Sequence, residues 1–351
     1  MSGASMRFAV IGSGSWATAL AKVLTDNGHS IQWWVRESSI IDVFQRRRHN
    51  PRHLTSTRFP VERISFSTDI NAVISNSDCV LIAVPAAYLE SALGKSDPAV
   101  WQGKKVVSAV KGLLPGSNLL LNDYLLQHAN VPLTDYFALL GPSHAEEVAA
   151  EKLSYLTFSG KDTSTAEQIA SHFSNEYINT LVNDDILGVQ YAAILKNVYA
   201  LGAGIANGLE YGDNFLSVLI ANAADEMASF LKKLGAYHIV VGEQESEDPV
   251  THRMMPNYAA SVYLGDLLVT CYSLHSRNRR LGGLIGKGYS MEAAKAEMNM
   301  VAEGLFASNC IHQVNDGRVQ AEMPIAEAVY RVCWTNADPR ETFKVLEAQL
   351  I

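Results

Sequence analysis

Four places in this sequence hold side chains suited to moving a proton or gripping an anion. Lys196 and Asn197 sit in the middle of Gln190–Leu209, an apolar stretch whose small residues Gly202, Ala203, Gly204 and Ala206 permit close helix packing. A lysine is almost never fully buried unless it is paired or functional, so Lys196 is a candidate acid–base group. The plain alternative is a stem that snorkels its charge to the surface. Lys111 follows the apolar run Val106–Val110 and is a candidate contact for an anion or a carbonyl, against the alternative of a solvated loop lysine. Gly265–Arg280 carries Asp266, Thr270 and the run Ser276-Arg277-Asn278, with Arg279 and Arg280 behind it. Arginine and asparagine side by side can hold a phosphate, one by charge-assisted bonds and the other by its amide, although a basic surface loop reads the same way.

The fourth place is Gly12-Ser13-Gly14-Ser15-Trp16-Ala17, in the pattern G-x-G-x-x-A. Phe8–Ile11 before it reads as a buried strand and Thr18–Leu24 after it as a helix. In that setting Gly12 permits the tight turn, Gly14 lets a pyrophosphate approach the backbone, and Ala17 keeps helix and strand close. The N–H groups at the helix start then face the diphosphate. Arg36 and Glu37 end the next strand, Ile31–Val35, about 20 residues on, where the adenosine ribose is read. An acid there binds a 2′-hydroxyl and an arginine suits a 2′-phosphate, so the pair predicts use of both NAD and NADP.

These positions must be carried by a scaffold. Apolar runs at Ile64–Phe66, Cys79–Val84, Val106–Val110, Tyr136–Leu140, Tyr155–Phe158 and Ile178–Val182 alternate with helical segments. That alternation predicts a mostly parallel, doubly wound sheet. Gly12, Arg36, Pro85, Lys111 and Gly141 each stand just past a predicted strand, on the edge where open α/β sheets bind ligands. Ser143-His144-Ala145-Glu146 has the S-x-x-E form of a capping box. Strand signals fade after Val182, and Val189–Ile351 reads as mostly helical, with Met298–Leu305 as one apolar helix carrying Val301 and Glu303. The reading is an α/β Rossmann-like domain over residues 1–188 and an all-α domain over 189–351.

Composition narrows the function. The chain has 351 residues, 48% hydrophobic and 18% charged, with a formal charge of −8, which argues against a nucleic-acid or membrane-surface partner. Cys79, Cys271, Cys310 and Cys333 form no C-x-x-C pair, so neither a metal site nor a disulfide scaffold is expected, and free thiols fit a reducing cytoplasm. Met1–Met6 is short and small, so no signal peptide is expected, and no uncharged apolar run long enough to span a bilayer is found.

In combination the motifs resemble the soluble bacterial NAD(P)-dependent glycerol-3-phosphate dehydrogenases nearly end to end. They are GSGSWATAL, VKGL at Val110–Leu113, GPSHAEEV at Gly141–Val148, LKNVYALGAGIANGL at Leu195–Leu209, GDLLVTC at Gly265–Cys271, SRNRRLG at Ser276–Gly282, VAEG at Val301–Gly304 and EMPIAEAVY at Glu322–Tyr330. The resemblance implies reversible reduction of dihydroxyacetone phosphate to sn-glycerol 3-phosphate, feeding glycerophospholipid synthesis, by a cytoplasmic homodimer. It implies that Gly12, Gly14, Ser15, Trp16 and Arg36 bind the dinucleotide, with Ala145, Val301 and Glu303 beside its nicotinamide half. Lys111 and Arg277 would touch both cofactor and substrate. Gly141, Ser143, Asn197, Asp266, Thr270, Ser276 and Asn278 would hold glycerol 3-phosphate, and Lys196 would be the catalytic base, with Lys111 and Asp266 beside it. No metal is implied, since a lysine can polarise a carbonyl and supply a proton.

Two departures stand out. His238–Tyr263 is longer than the family usually allows and is acidic, which predicts a segment peripheral to the chemistry. Asn222 replaces a usual arginine. Two rivals share the build: a dehydrogenase of a hydroxy acid or ketopantoate-like substrate, and a nicotinamide-binding sensor without turnover. Burial of Lys196 would disfavour its charge while Asp266 would favour it, and exchange of Lys196 for methionine is expected to leave the fold no less stable.

Overall fold

The computed structural model describes residues 6–236, 245–247, 254–256, 262–298 and 301–351. Most of His238–Tyr263 therefore lies outside the described residues, apart from two short strands, Glu245–Glu247 and Met254–Pro256, which pair antiparallel. The chain divides into two units. The first joins Met1–Val110 to Leu119–Ile186; the second joins Lys111–Asn118 to Leu187–Ile351. The seam near residue 188 is thus accompanied by a short excursion: Lys111 follows the first unit's sheet in sequence and packs in the second.

The first unit is built on eight strands: β1 (Phe8–Ile11), β2 (Ile31–Trp34), β3 (Ile64–Ser67), β4 (Cys79–Ile82), β5 (Lys105–Ser108), β6 (Tyr136–Leu140), β7 (Ser154–Gly160) and β8 (Ile178–Asn183). Their order is β3-β2-β1-β4-β5-β6-β7-β8, parallel throughout except where β7 meets β6. β1 lies between β2 and β4, with Phe8 level with Ile31 on one side and Cys79 on the other. Successive strands are added outward from β1 to β3 on one side and from β4 onward on the other, and at such a switch in strand order the carboxyl ends leave a crevice, which is where such sheets take ligands. Phe8–Ile11 and Cys79–Ile82 are wholly buried, as central strands covered on both faces must be, which explains their unbroken apolar runs. Helices α1 (Ser15–Asp26), α2 (Ser38–Arg47), α3 (Ile70–Ser75), α4 (Ala86–Leu93), α5 (Leu121–Ala129), α6 (Ala145–Ala149) and α7 (Thr163–Ser171) connect and cover the strands. The core on one face interlocks Phe8, Val10, Leu20, Leu24, Trp33 and Phe44.

The capping box does not form. The N-cap of α6 is His144, one residue later than the motif requires, and no side chain caps the helix. Ser143 instead donates its hydroxyl to the Gly141 carbonyl at 3.1 Å, a local turn bond that competes with capping.

In the second unit the helices are α8 (Ile186–Gly208), α9 (Asp213–Lys233), α10 (Leu264–Tyr272), α11 (Arg277–Gly286), α12 (Met291–Ala296), α13 (Glu303–Val314), α14 (Pro324–Trp334) and α15 (Pro339–Glu347). Helix α13 starts at Glu303, so Val301 precedes it and does not lie in a helix from Met298. Among the described residues α8 is the one helix long and apolar enough to cross a membrane, but 94% of its apolar window is buried inside the protein. It is the spine of this unit. Gly282 of α11 lies so close to it that a Cβ would fall 2.1 Å from the Leu201 carbonyl oxygen, and one on Gly204 would fall 2.2 Å from that of Arg279. The small residues of the two helices thus bring backbone against backbone, and they place the start of α11 beside the middle of α8. Asn222 of α9 accepts from the Ile351 amide at 3.1 Å and donates to its carbonyl at 2.8 Å.

Glu226 on α9 was not legible as a structural key. It is buried, and its carboxylate accepts from the Ile325 amide at 2.5 Å and the Ala326 amide at 3.3 Å, so a side chain from another helix caps α14. Burial raises its pKa to about 7, against the pull of those two amides and the Tyr199 hydroxyl. Between about 4.5 and 7 the native state therefore holds a proton that the unfolded chain has released, and this residue withdraws stability as pH rises through that window. Glu226→Gln, which cannot ionise, should gain on the unaltered chain by up to about 3 kcal/mol between pH 5 and pH 8, measured by urea unfolding. A difference between the two that stays constant with pH would contradict this.

Candidate active site

The glycine turn of the first unit is shaped for an anion. Gly12 has φ of +120°, and a Cβ there would fall 2.6 Å from the Ala83 carbonyl oxygen, so only glycine fits beneath β4's end. Gly14 is the N-cap of α1 in extended backbone, and no side chain caps the helix. A Cβ on Gly14 would meet nothing within 4 Å, which leaves open space at a helix start with no acid in its first turn. An uncapped helix N-terminus fronted by open space fits a dinucleotide diphosphate. Ser15 and Trp16 open the helix and are partly exposed.

Arg36 follows β2 and is exposed, with its guanidinium 3.6 Å from Glu37. Sequence reasoning missed the partner that matters there. Arg52, in the segment after α2, grips both Glu37 oxygens at 2.8 and 2.7 Å, which holds that carboxyl below its usual range. The segment is itself pinned. Buried Asn50 donates to the Ser13 carbonyl and to the Thr18 hydroxyl, both at 2.9 Å, and its oxygen receives the Arg52 amide at 2.9 Å and the His53 amide at 3.2 Å. His53 in turn lies 3.3 Å from the Ser15 hydroxyl. Farther along the same sheet edge, Gly141 takes φ of +130°, where a Cβ would fall 2.6 Å from the Tyr155 carbonyl oxygen, and Ser143 and Ala145 are buried after it.

In the second unit the structure gathers several predicted residues into one buried cluster. Lys196 of α8 and Asp266 of α10 form an ion pair through Asp266 Oδ1, with side chains 5% and 1% exposed. A charge pair that deep is held by mutual attraction in place of water, so Lys196 does not snorkel. Asp266 Oδ2 is buried and has no hydrogen-bond partner among the described residues. Lys111 stands beside the pair. Burial, then the positive charge of Lys196, lowers its pKa to about 8, while Asp266 and Glu303 pull the other way. Lys111 is partly exposed as a residue, while burial at its ammonium is the main cause of that shift.

Two amides tie the cluster together. Asn278 Nδ2 donates to Asn197 Oδ1 at 2.8 Å, and Asn278 Oδ1 accepts from the Gly304 amide at 2.9 Å. Asn197 Nδ2 donates to the Ala193 carbonyl at 3.1 Å and reaches the Lys111 carbonyl at 3.4 Å. Asn278 therefore spends its oxygen and one amide hydrogen on holding α8, α11 and α13 together. Thr270 donates to the Asp266 carbonyl at 2.6 Å, and Ser276 is the N-cap of α11, receiving the Arg279 amide at 3.3 Å. Arg277, the first residue of that helix, is exposed. Arg279 turns back to the Tyr272 carbonyl. Val301 and Glu303 flank the start of α13 and are partly exposed. Among the described residues no group of three or more metal-binding side chains occurs.

A buried lysine–carboxylate pair beside a second lysine, in a chain whose other unit has a dinucleotide-type fold, suits the chemistry of a carbonyl reductase. Family models agree: the N-terminal model of NAD-dependent glycerol-3-phosphate dehydrogenase matches residues 7–166 and the C-terminal model residues 185–344. The chain belongs to this family. It is an oxidoreductase that uses NAD(P). It is 34% identical over 340 residues to the glycerol-3-phosphate dehydrogenase (NAD(P)+) of Agathobacter rectalis, covering 97% of this chain and 95% of that one. A relative of the same name in Bacillus cereus is 33% identical over 336 residues, covering 95% and 93%. Among solved structures, glycerol-3-phosphate dehydrogenase from Coxiella burnetii superposes with a TM-score of 0.83 at 27% identity, covering 97% of this chain and 98% of that chain. A ketopantoate reductase from Ralstonia eutropha, at 15% identity and a TM-score of 0.56 over 96% of this chain and 99% of that one, shares the fold alone. The fold therefore does not separate the two substrate classes, and the residues must.

Proposed function

We propose a division of labour for the family's reaction in this chain, the reversible reduction of dihydroxyacetone phosphate to sn-glycerol 3-phosphate that supplies glycerophospholipid synthesis. A bound nicotinamide supplies the hydride in reduction and takes it back in oxidation. Gly12, Gly14, Ser15, Trp16, Arg36 and Ala145 bind the dinucleotide in the first unit, and Arg277, Val301 and Glu303 attend its nicotinamide half. Lys196 gives a proton to the carbonyl oxygen in reduction and removes it from the C2 hydroxyl in oxidation. The observation that carries this reading is the buried Lys196–Asp266 pair, with Asp266 Oδ2 lacking a donor among the described residues. A buried acceptor left open in this way is suited to a substrate hydroxyl. Asp266 holds Lys196 in place for donation.

Lys111 contributes a second cation. Ser276, Arg277 and Asn278 at the start of α11 receive the phosphate, with Gly141, Ser143, Asn197 and Thr270 completing the substrate contacts. Asn197 and Asn278 do this while holding each other, so their amides are set before substrate arrives. The four cysteines are free and buried, which suits the cytoplasm, and the resemblance carries a homodimer.

The phosphate distinguishes this reading from a ketopantoate-like one. With dihydroxyacetone phosphate, dihydroxyacetone and ketopantoate offered in turn, kcat/KM should be greatest for the phosphorylated ketone by at least about 10³, since a built polar site rejects analogues that leave it unpaired. Preference for ketopantoate would overturn it. The role of Lys111 has its own test. Its ammonium loses its proton as pH rises through about 8, so the KM for dihydroxyacetone phosphate should climb above that pH. Lys111→Arg, which stays charged, should flatten the rise. A KM flat from pH 7 to 10 in the unaltered enzyme would remove Lys111 from phosphate or carbonyl binding.

A further inference from the structure

The acid beside Arg36 ought to repel a 2′-phosphate, yet in this fold it does not stand alone. Arg52 meets Glu37 through two nitrogens at 2.8 and 2.7 Å, and Arg36 approaches the same carboxylate at 3.6 Å. Arg52 is not an arbitrary surface charge that strays onto Glu37. Its amide is bound to Asn50, which is 1% exposed and anchored on Ser13 and Thr18 at the glycine turn. The guanidinium is thus presented from a segment fastened to the dinucleotide loop itself.

We infer that Arg52 sets the cofactor preference of this chain: by clamping Glu37 it turns the end of β2 from a ribose-hydroxyl reader into a 2′-phosphate site and favours NADP over NAD. Arg36, Glu37 and Arg52 together carry one net positive charge. Without Arg52 the sum is zero, and the freed carboxylate faces the phosphate while remaining able to accept a bond from an unphosphorylated 2′-hydroxyl. A bidentate arginine–carboxylate pair also fixes orientation, which keeps the remaining guanidinium N–H groups of Arg52 available to an oxyanion. The inference rests on the dinucleotide reading of the glycine turn and adds a residue to it.

Direct binding tests it without turnover. Titration calorimetry of NADP+ and NAD+ onto the full chain, at one fixed ionic strength, would compare the unaltered protein with Arg52→Ala, Glu37→Gln and the double variant. Arg52→Ala should weaken NADP+ at least tenfold relative to NAD+. Arg52→Ala with Glu37→Gln should recover NADP+ to within about threefold of the original, because Arg36 then faces no carboxylate. Raising the salt should shrink the NADP+ preference of the unaltered chain, as screening of exposed charges requires. Equal weakening of both dinucleotides by Arg52→Ala, or no recovery in the double variant, would overturn the inference and leave the family reading intact. Failure of the unaltered chain to bind either dinucleotide would overturn both.

Discussion

Lys196→Met should lose at least 10²-fold in turnover while its affinity for dinucleotide changes little. Loss of a positioned acid–base group costs on the order of 10²–10⁴ in rate, and Lys196 is held by Asp266 in a buried pair on the spine helix of the second unit. Methionine keeps the apolar stem and removes the proton donor. From sequence alone, this exchange looks harmless to stability. The structure corrects that expectation, because it leaves Asp266 buried at 1% exposure without its cation. The single variant should therefore be less stable at neutral pH. Steady-state rates and calorimetry on the same preparation separate the two effects. Near-native turnover in Lys196→Met would move the proton transfer elsewhere, with Lys111 the next candidate.

Asp266→Ala should destabilise the fold by about 3–5 kcal/mol, the usual cost of leaving one member of a buried ion pair alone. It should also cost activity, since the residue holds Lys196 and presents an open oxygen. The double variant Lys196→Met with Asp266→Leu should regain most of that stability and none of the activity. Urea unfolding of the unaltered chain, Lys196→Met, Asp266→Leu and the double variant forms the cycle. Additive losses in the double variant would mean that the pair is not coupled in the folded enzyme.

How far the sequence carried these expectations depends on the kind of signal. The glycine turn, the wholly apolar β1 and β4, and the helical second half were legible because each rests on local pattern. Lys196 stood out because a lysine in a long apolar helix is anomalous wherever its partner lies. The small residues of α8 announced close packing, but not that α11 would be the partner, since Gly282 lies far off in sequence. Glu226 and Arg52 were invisible for the same reason. An acid in an amphipathic helix and an arginine in a polar loop look like solvated charges until another segment arrives, α14 for the first and Glu37 for the second. Ser143-x-x-Glu146 failed in the opposite direction: a valid local motif gave way to a turn bond with Gly141. The excursion of Lys111–Asn118 into the second unit has no local signature at all, although it is what brings Lys111 to Lys196.

The most direct measurement is the nicotinamide absorbance of the purified chain with dihydroxyacetone phosphate, run with NADPH and NADH separately and with product identified. The account predicts loss of reduced nicotinamide matched one for one by sn-glycerol 3-phosphate, faster with NADPH at equal subsaturating concentration, and reversed when sn-glycerol 3-phosphate and the oxidised cofactor are supplied. Tight dinucleotide binding with no change in absorbance would contradict it, and would make the chain a nicotinamide sensor in the form of an enzyme.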